Sequence, residues 1–462
     1  MPHRPTPVIL APGTLPPTWE RPGIFVANLL SLFFGNEAQT EALRQTVGRL
    51  ESYGGRLLPI MGLLYRGAHP NIVVLEQAPQ QALLNYFADT LALDLPQTHV
   101  LPHDDLAALA TAGADLRDAP ATVDALLPHL QAAPDAWLDG FVTDPALLAL
   151  ATRAGHQTLN QPTASFAGNN KHLLHDFLVA TELPVFTTQL VPELAALPAA
   201  LRQLAAAGFA RAALKSPIGA SGIGLWTYAT DDPAPAPPAY AFAHGPCLLQ
   251  GWVDASIDTT ITATRSPSAQ LLVRPEAVHV YDLTDQILSA DSIHQGNAAP
   301  PPWLTDSAEA RGELLRQASL VGRWLHRQDY RGTASIDFHV TEHADGSHVI
   351  RVCEVNARVT GATYPALLAR HFNPTGAWLM RNVRFDPAPP AATILQRLRE
   401  ADLLYQPGAT AGLLPINFNP APDDHGIAKG QFLCLAPDLP AATQLLEALP
   451  QHLPVADSFD RD

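Results

Sequence analysis

The run KSPIGASGIG, residues 215–224, places a lysine directly before three glycines, and no other feature restricts the fold of this chain as strongly. Runs of strand character flank it, RAAL before and LWTY after. The pattern therefore predicts a strand, a glycine-rich turn and a second strand. A P-loop is excluded because its lysine follows the glycines and opens a helix. The dinucleotide fingerprint is excluded because the spacing here is G-x-x-G-x-G and the run leads into a strand.

What remains is a flap between two antiparallel strands. Its backbone amides, at positions 220–223, are suited to fold over phosphate oxygens while Lys215 reaches in from the first strand. Small residues permit the close approach and the positive φ angles that such a turn requires. The alternative is a flexible hairpin with an incidental lysine, since a glycine motif alone is weak evidence.

A second polar group lies on two predicted strands, TASIDFHVTE and SHVIRVCEVNARV, which are joined by a turn at ADGS. Glu354 and Asn356 are two positions apart, so they share one face of their strand, and Arg358 continues the row. Asp337 lies on the partner strand. Two carboxylates and an amide oxygen are donors that suit Mg²⁺ bound to nucleotide phosphates. The alternative is a solvated strand face, which the apolar neighbours of both carboxylates disfavour.

The segment before these motifs alternates between two patterns. GIFVANLL, RLLPIMG and NIVVLEQ have the length and apolar character of strands, whereas TEALRQTVGRLESYG and QQALLNYFADTLAL have helical spacing. Such alternation predicts an α/β domain with a mostly parallel sheet.

Charge and cysteine content restrict the partners and the compartment. The formal charge of −16 argues against sequence-independent nucleic-acid binding, which needs a basic face. The cysteines at 247, 353 and 434 are widely spaced in apolar runs, which is typical of buried thiols in a reducing compartment. No signal peptide or membrane span is evident in the sequence. We therefore expect a cytoplasmic protein.

Taken in order, these motifs resemble those of the ATP-grasp superfamily. A lysine opens a helix in NNK, a second lysine precedes the flap, LLQGWV is an apolar hinge strand, and EVNAR closes the acidic strand pair. The resemblance covers residues 160–375. Within the superfamily, SPSAQLLV, TDQIL and NARVTGATYP look most like pheganomycin-type peptide ligases. Many relatives have GG where this chain has Thr360 and Gly361, and His where it has Tyr364.

The resemblance implies an α/β protein with the ATP-grasp fold, α+β within the grasp, and a Rossmann-like domain before it. That N-terminal domain would comprise residues 1–160. The grasp subdomain with the flap would comprise 161–250, and the subdomain with the Mg²⁺-binding strands 251–385. Residues 386–462 would form a C-terminal α+β extension that packs on the grasp.

The resemblance also implies roles for individual residues. The residues expected to bind ATP are Lys171, Lys215, Ser216, Gly219, Ala220, Ser221, Gly222, Gly224, Gln250, Trp252, Val253 and Asp258. Those expected to bind Mg²⁺, with Mn²⁺ as an alternative, are Asp337, Glu354 and Asn356. Arg358 and Lys215 would act on the transferring phosphoryl group. Residues expected on the substrate side are Arg274, Asp285, Gln286, Gly361 and Thr363.

Some of these assignments leave alternatives open. Gln250, expected at the adenine edge, stands where the family more often has Glu, and it can still accept from the adenine amino group. Asp258 is assigned to the ribose with its register open by one residue. Arg274 meets a substrate carboxylate or is simply an exposed strand residue. His294 is a further candidate for substrate contact.

The implied reaction joins a carboxylate to an amine through an acyl phosphate, with release of ADP and phosphate. No protein nucleophile is required. Two alternatives are a small-molecule kinase that phosphorylates a hydroxyl and a nucleotide-binding protein without catalysis. The expected partners are amino acids or a short peptide, without nucleic acid or membrane, and family precedent favours a homodimer.

Overall fold

A computed structural model of the chain describes residues 6–47, 53–220, 222–231, 235–288, 294–422 and 426–456. Its strands assemble into three sheets, of five, four and ten strands. Within the described ranges, no helix has both the length and the apolar character needed to cross a bilayer.

A parallel sheet with helices around it forms the N-terminal part of the chain. Strand β1 (Val8–Leu10) precedes this sheet and belongs to the large sheet. The strands of the parallel sheet are β2 (Gly23–Val26), β3 (Ile72–Leu75), β4 (Gln97–Val100), β5 (Trp137–Gly140) and β6 (Gln157–Thr158). The helices are α1 (Glu37–Val47), α2 (Met61–Leu64), α3 (Gln81–Asn85), α4 (His103–Thr111), α5 (Pro120–Leu130), α6 (Pro145–Ala154) and α7 (Pro162–Gly168). The sheet has the order β4-β3-β2-β5-β6 with every pair parallel. The predicted α/β segment with a parallel sheet is therefore confirmed.

One predicted strand of this segment is wrong. RLLPIMG folds as a buried 3-10 helix over Gly54–Ile60 that continues into α2. A wholly apolar run has no periodicity that separates a buried strand from a buried helix. Because the segment is helical, it carries the polar side chain of Arg56 into the interior, where only 8% of the residue is exposed.

A four-stranded antiparallel sheet carries the flap. This part contains α8 (Lys171–Ala180), β7 (Thr188–Val191), α9 (Leu197–Ala206), β8 (Arg211–Ala220), β9 (Ile223–Ala229) and β10 (Cys247–Gly251). The strand order is β7-β10-β8-β9. Strands β8 and β9 pair up to Ala220 and Ile223, so the glycine-rich run is a hairpin between antiparallel strands, as predicted.

The ten-stranded sheet contains the acidic strand pair. Its strands beyond β1 are β11 (Ile261–Arg265), β12 (Pro267–Val273), β13 (Val278–Leu288), β14 (His294–Ala299), β15 (Gly332–His343), β16 (His348–Asn356), β17 (Ala377–Arg384), β18 (Gly412–Pro420) and β19 (Ile427–Ala436). The helices are α10 (Pro302–Asp306), α11 (Ala308–Arg327), α12 (Thr363–Phe372), α13 (Ala391–Glu400) and α14 (Leu439–Glu447). The main order is β11-β15-β12-β13-β14-β17-β19-β18, with β16 beside β15 and β1 parallel to β13.

Two apolar layers hold this sheet in place. Helix α11 packs its apolar side on strands β12, β13 and β16. The largest core cluster joins the parallel sheet to the large sheet, with α12 and the Gly54–Ile60 helix between them. A buried ion pair fixes α12 as well, because Arg370 donates to both carboxylate oxygens of Asp282 at 2.8 and 2.9 Å. The carboxyl ends of β2, β3 and β5 therefore lie close to the large sheet.

One carboxyl group at these strand ends is partly buried. Asp139, near the end of β5, accepts a hydrogen bond of 2.7 Å from the hydroxyl of Tyr65. Burial raises the pKa of Asp139 to about 6, against which the hydrogen bonds of Tyr65 and Gly140 act more weakly. Since this pKa exceeds its unfolded value, the folded chain binds more protons than the unfolded chain between about pH 4 and 6. The contribution of Asp139 to the free energy of unfolding therefore increases as the pH falls through that range.

Replacing the charge at this position tests that linkage. We expect Asp139→Asn, which keeps an acceptor for Tyr65, to raise the free energy of unfolding at pH 7.5 by about 1–3 kcal/mol. The gain should shrink toward pH 4, as urea denaturation across the pH range will measure. Asp135→Asn on the exposed surface is the matched control. Parallel pH profiles for Asp139→Asn and the wild type would contradict the assignment.

Candidate functional site

A cleft lies between the flap sheet and the acidic strand pair, with α8 along one side. The cleft is lined by Lys171, Leu174, His175, Leu178, Val185, Phe186, Lys215, Leu248, Gln250, Val352 and Cys353. Apolar walls with a few polar groups suit a flat base, and the two lysines suit an anionic chain attached to it.

Lys171 links the flap to the acidic strands. It is the first residue of α8, whose N-cap Asn170 accepts hydrogen bonds from the amides of the first turn. The Nζ atom of Lys171 lies 2.7 Å from Oε1 of Glu354 and 3.4 Å from the carbonyl oxygen of Gly219. The sequence predicted a cation at this position, and the structure adds its two protein contacts.

Lys215 enters the same cleft from β8. Its Nζ atom lies 3.4 Å from Sγ of Cys353 and 5.5 Å from the ring centre of Phe186. The two predicted lysines therefore meet in one cleft, although they are far apart in sequence. Cys353 and Phe186 were not singled out by the sequence, because neither residue type signals a binding site.

Gln250 offers an acceptor that the protein does not use. This residue is 9% exposed, and its Oε1 atom is buried without a hydrogen-bond partner. Its Nε2 atom lies 3.4 Å from the hydroxyl of Thr188. An unpaired buried acceptor is costly unless a ligand supplies a donor. The amino group of an adenine is a donor of that kind.

The segment after Gln250 departs from expectation in one respect. The amide of Trp252 donates to the carbonyl oxygen of Arg211 at 2.9 Å, so it is not available to a base. Val253 contacts His339 through its backbone. Burial lowers the pKa of His339 to about 4, and the charges of Arg351 and Lys215 contribute.

The flap is built for close contact. A Cβ at Gly219 would lie 2.7 Å from the carbonyl oxygen of Ile223, and Gly222 and Gly224 have φ angles of +80° and +91°. Side chains at these positions would clash or strain the backbone. Ser221 lies outside the described residues. The buried hydroxyl of Ser216, on the strand that leads into the turn, has no hydrogen-bond partner.

The two predicted carboxylates face each other across the hairpin. Asp337 on β15 pairs with Glu354 on β16, and Nδ2 of Asn356 donates to Oδ2 of Asp337 at 3.0 Å. The hydroxyl of Ser268 donates to the other oxygen of Asp337. Burial and the charge of Glu354 raise the pKa of Asp337 to about 6. An additional cation would relieve this repulsion, and the oxygen donors fit Mg²⁺.

A bulge adjusts this strand pair. The register between β15 and β16 shifts after Asp337, which leaves Cys353 without a partner on β15. A bulge re-aims the side chains next to it. As a result Cys353 lines the cleft while its neighbour Glu354 bonds to Lys171. Strict alternation, on which the sequence analysis relied, would separate these two side chains.

Arg358 was predicted to continue the row of Glu354 and Asn356 along the strand. In the structure it lies beyond the end of the strand. Strand β16 ends at Asn356, and Arg358 is held by Oδ1 of Asn169 at 2.7 Å. Asn169 also bonds to the backbone of Ala357. Burial lowers the pKa of Arg358, whereas the charges of Glu354 and Asp337 raise it. The guanidinium therefore lies beside both carboxylates.

Two residues predicted on the substrate side, Arg274 and Asp285, have polar partners within the protein. Arg274 forms an ion pair of 2.6 Å with Glu276 and donates to the carbonyl oxygen of Thr18 at 2.8 Å. It follows β12, at the end away from Ser268. The carboxylate of Asp285 accepts from the indole of Trp303 in α10 at 3.1 Å.

Two further assignments are not supported by the positions of the residues. The buried hydroxyl of Thr363 accepts from the amide of Thr360 at 2.9 Å, which closes the turn before α12. Asp258 accepts from Thr260 and lies 3.7 Å from His343, so it does not line the cleft. Asp254 lies nearer to the cleft than Asp258 does, as indicated by the effect of its charge on the pKa of His339.

Gln286, Gly361 and His294, the remaining substrate-side predictions, lie near Asn297 or near one another. Gln286 on β13 pairs with Asn297 on β14. The amide nitrogen of Asn297 lies 2.7 Å from Nε2 of His294. The ring of His294 lies 3.2 Å from where a Cβ would stand at Gly361.

Comparison with known proteins gives one curated relative. No family model matches the chain. The butirosin acyl-carrier protein–L-glutamate ligase of Niallia circulans is 27% identical over 230 residues, which are 48% of this chain and 51% of that protein. The chain therefore spans about half the length of this curated relative.

Several solved structures share the architecture over nearly the whole chain. Biotin carboxylase of Campylobacter jejuni, in complex with β-γ-ATP, has a TM-score of 0.55 at 11% identity, with 95% of this chain and 92% of that chain covered. The biotin carboxylase domain dimer of Hydrogenobacter thermophilus 2-oxoglutarate carboxylase, with MgADP and bicarbonate, has 0.54 at 12%, covering 94% and 90%. N5-carboxyaminoimidazole synthase of Aspergillus clavatus, with ADP and 5-aminoimidazole ribonucleotide, has 0.51 at 15%, covering 94% and 99%.

The native cysteines provide a direct test of the cleft. Cys247 and Cys434 are buried, whereas Cys353 is partly exposed and lines the cleft. We expect N-ethylmaleimide to modify Cys353 first, and saturating Mg·ATP to slow that modification about tenfold or more. Intact-protein and peptide mass spectrometry will measure it. Equal rates with and without Mg·ATP would argue against a nucleotide in this cleft.

Proposed function

We propose that this chain, an ATP-grasp protein by its fold, is an ATP-dependent ligase that joins a carboxylate to an amine and releases ADP and phosphate. The observation that carries the proposal is the meeting of Lys171, Lys215 and Arg358 around the opposed carboxylates at the inner end of the cleft. A nucleotide with its base at Gln250 would direct its phosphates toward these groups.

The cationic side chains of the site would bind the phosphate groups of ATP. Lys171 and Lys215 would bind phosphate oxygens from two sides, and the flap amides would cover them. Arg358, held by Asn169, would stabilise negative charge on the phosphoryl group as it moves to the substrate carboxylate. Preorganised cations of this kind lower the barrier because they need no rearrangement during the reaction.

Asp337, Glu354 and Asn356 would hold Mg²⁺ on the acidic strands, and Mn²⁺ is an alternative with the same ligand preference. When bound, the metal supplies charge that offsets the phosphate oxygens. Lys171, which pairs with Glu354 in this structure, would then move toward the phosphates.

The curated relative suggests a class of carboxylate substrate. Its name describes the joining of L-glutamate to an acyl-carrier protein. We take an amino acid as the carboxylate substrate of this chain, with an amine as the acceptor. The expected homodimer and cytoplasmic location stay predictions, and no feature of the site favours a kinase over a ligase.

An ADP-release assay tests the function. With Mg·ATP and pairs of carboxylates and amines, we expect ADP only when both substrates are present. Glu354→Gln should reduce the rate about a hundredfold or more, because it removes a charge that holds the metal and orients Lys171. Glu342→Gln, on the same hairpin but paired with Arg265, is the control and should retain activity. ADP release with a hydroxyl compound and no amine would instead indicate a kinase.

A further inference from the structure

The orientation of the Gln250 amide affects which base the cleft can accept. An amide presents an acceptor at one end and two donors at the other, so its two orientations recognise opposite groups on a purine. Gln250 lies on β10, and its side chain lines the cleft. Among the described residues that line the cleft, only Gln250 has a buried side-chain nitrogen or oxygen without a hydrogen-bond partner. A group that fixes this amide therefore controls the hydrogen bond offered to a ligand.

That group is the hydroxyl of Thr188. Thr188 on β7 is the direct antiparallel partner of Gln250. Its hydroxyl lies 3.4 Å from Nε2 of Gln250 and donates to the carbonyl oxygen of Phe186 at 2.9 Å. A hydroxyl has one hydrogen to donate, and Phe186 accepts it. Toward Gln250 this hydroxyl therefore only accepts, which requires the amino end of the amide to face Thr188 and leaves Oε1 for a ligand.

The backbone that follows Gln250 has its first two amides occupied. The amide of Gly251 donates to the carbonyl oxygen of Thr187 at 2.9 Å, and the amide of Trp252 donates to that of Arg211 at the same distance. The apolar part of the cleft lining suits any flat ring and does not distinguish the groups at its edge. Oε1 of Gln250 is therefore the buried acceptor that can tell one base edge from another.

An acceptor at this place selects for adenine. Adenine carries a 6-amino group, which donates, whereas guanine and hypoxanthine carry a 6-oxo group, which accepts. A 6-oxo group opposite Oε1 would bring two acceptors together with no hydrogen between them, and both would have lost their water. The reversed amide would present Nε2 and would favour the 6-oxo purines.

We propose that Thr188 is a positioning residue that sets the base specificity of the nucleotide site, because it holds the Gln250 amide with its oxygen toward the base. The inference rests on the proposed ligase function and specifies how the nucleotide of that reaction is selected. Thr188 is not among the residues that line the cleft, so it acts through Gln250. A glutamate at position 250 would not depend on Thr188 in this way, because both of its carboxylate oxygens accept.

Calorimetry with Mg·ADP and Mg·IDP, the inosine diphosphate, tests this role without turnover, since neither nucleotide has a γ-phosphate. We expect the wild-type protein to bind Mg·ADP about tenfold or more tightly than Mg·IDP. Thr188→Val keeps the shape of the side chain but removes the hydroxyl, so the amide is free to reverse. The ADP preference should then fall about tenfold, mainly through tighter binding of Mg·IDP. Thr188→Ala, which removes the same hydroxyl with less bulk, should give the same result.

Three further variants separate this role from a structural one. Thr188→Ser keeps the hydroxyl and should keep the ADP preference. Thr187→Val changes the exposed neighbour of Thr188 and is the matched control, which should also keep the preference. In the double variant Thr188→Val/Gln250→Glu, the carboxylate presents an acceptor in either orientation, so the preference should return. A loss of packing at position 188 would not be reversed by a change at position 250.

The outcomes distinguish this inference from the proposed function. An ADP preference that is unchanged in Thr188→Val and Thr188→Ala would overturn the role of Thr188, and so would a double variant that does not restore the preference. Equal binding of both diphosphates by the wild-type protein would also overturn it. In each of these cases nucleotide binding and the ligase proposal stand. If the wild-type protein binds neither diphosphate, the ligase proposal and this inference are both wrong.

Discussion

The opposition of Asp337 and Glu354 across one hairpin is the interaction around which the rest of the site is arranged. Two partly buried carboxylates at directly paired positions repel each other, and this repulsion contributes to the raised pKa of Asp337. The protein offsets it with Lys171 at 2.7 Å and with Arg358 nearby. Lys171 lies at the start of α8 in the flap part, and Arg358 lies in the loop after β16. Neutralising the two carboxylates therefore brings separate segments of the chain together.

The position of that point follows from the packing of the sheets. Helix α12 and the Gly54–Ile60 helix lie between the parallel sheet and the large sheet, in one continuous apolar core. The buried pair of Arg370 and Asp282 anchors α12, which in turn carries Tyr364. The ends of the parallel strands therefore point toward the acidic strands. Each of the two parts of the chain forms one side of the reaction centre. Ligands commonly bind at the carboxyl ends of the strands in a parallel sheet.

Sequence patterns predicted the parts of the site that depend on local order. Lys215 before the glycines and the opposed carboxylates were identified from residue type and spacing, whereas Lys171 was identified from the resemblance to the ATP-grasp superfamily. The ATP-grasp fold is confirmed. Spacing was a poor guide wherever a side chain's face depends on a bulge or on a distant partner. Asp285 bonds to Trp303, Arg274 pairs with Glu276, and the bulge at Cys353 breaks the alternation.

The sequence by itself determined the secondary-structure classes, the flap and the order of the charged motifs, because hydrophobic period and glycine placement act over a few residues. Only the tertiary structure decided which distant residues meet. Arg56 stood inside an apolar run that resembled a strand, and Glu76 ended another such run. The approach of Arg56 to Tyr364 and His294 depends on contacts between segments more than 200 residues apart, and no local pattern encodes contacts at that separation.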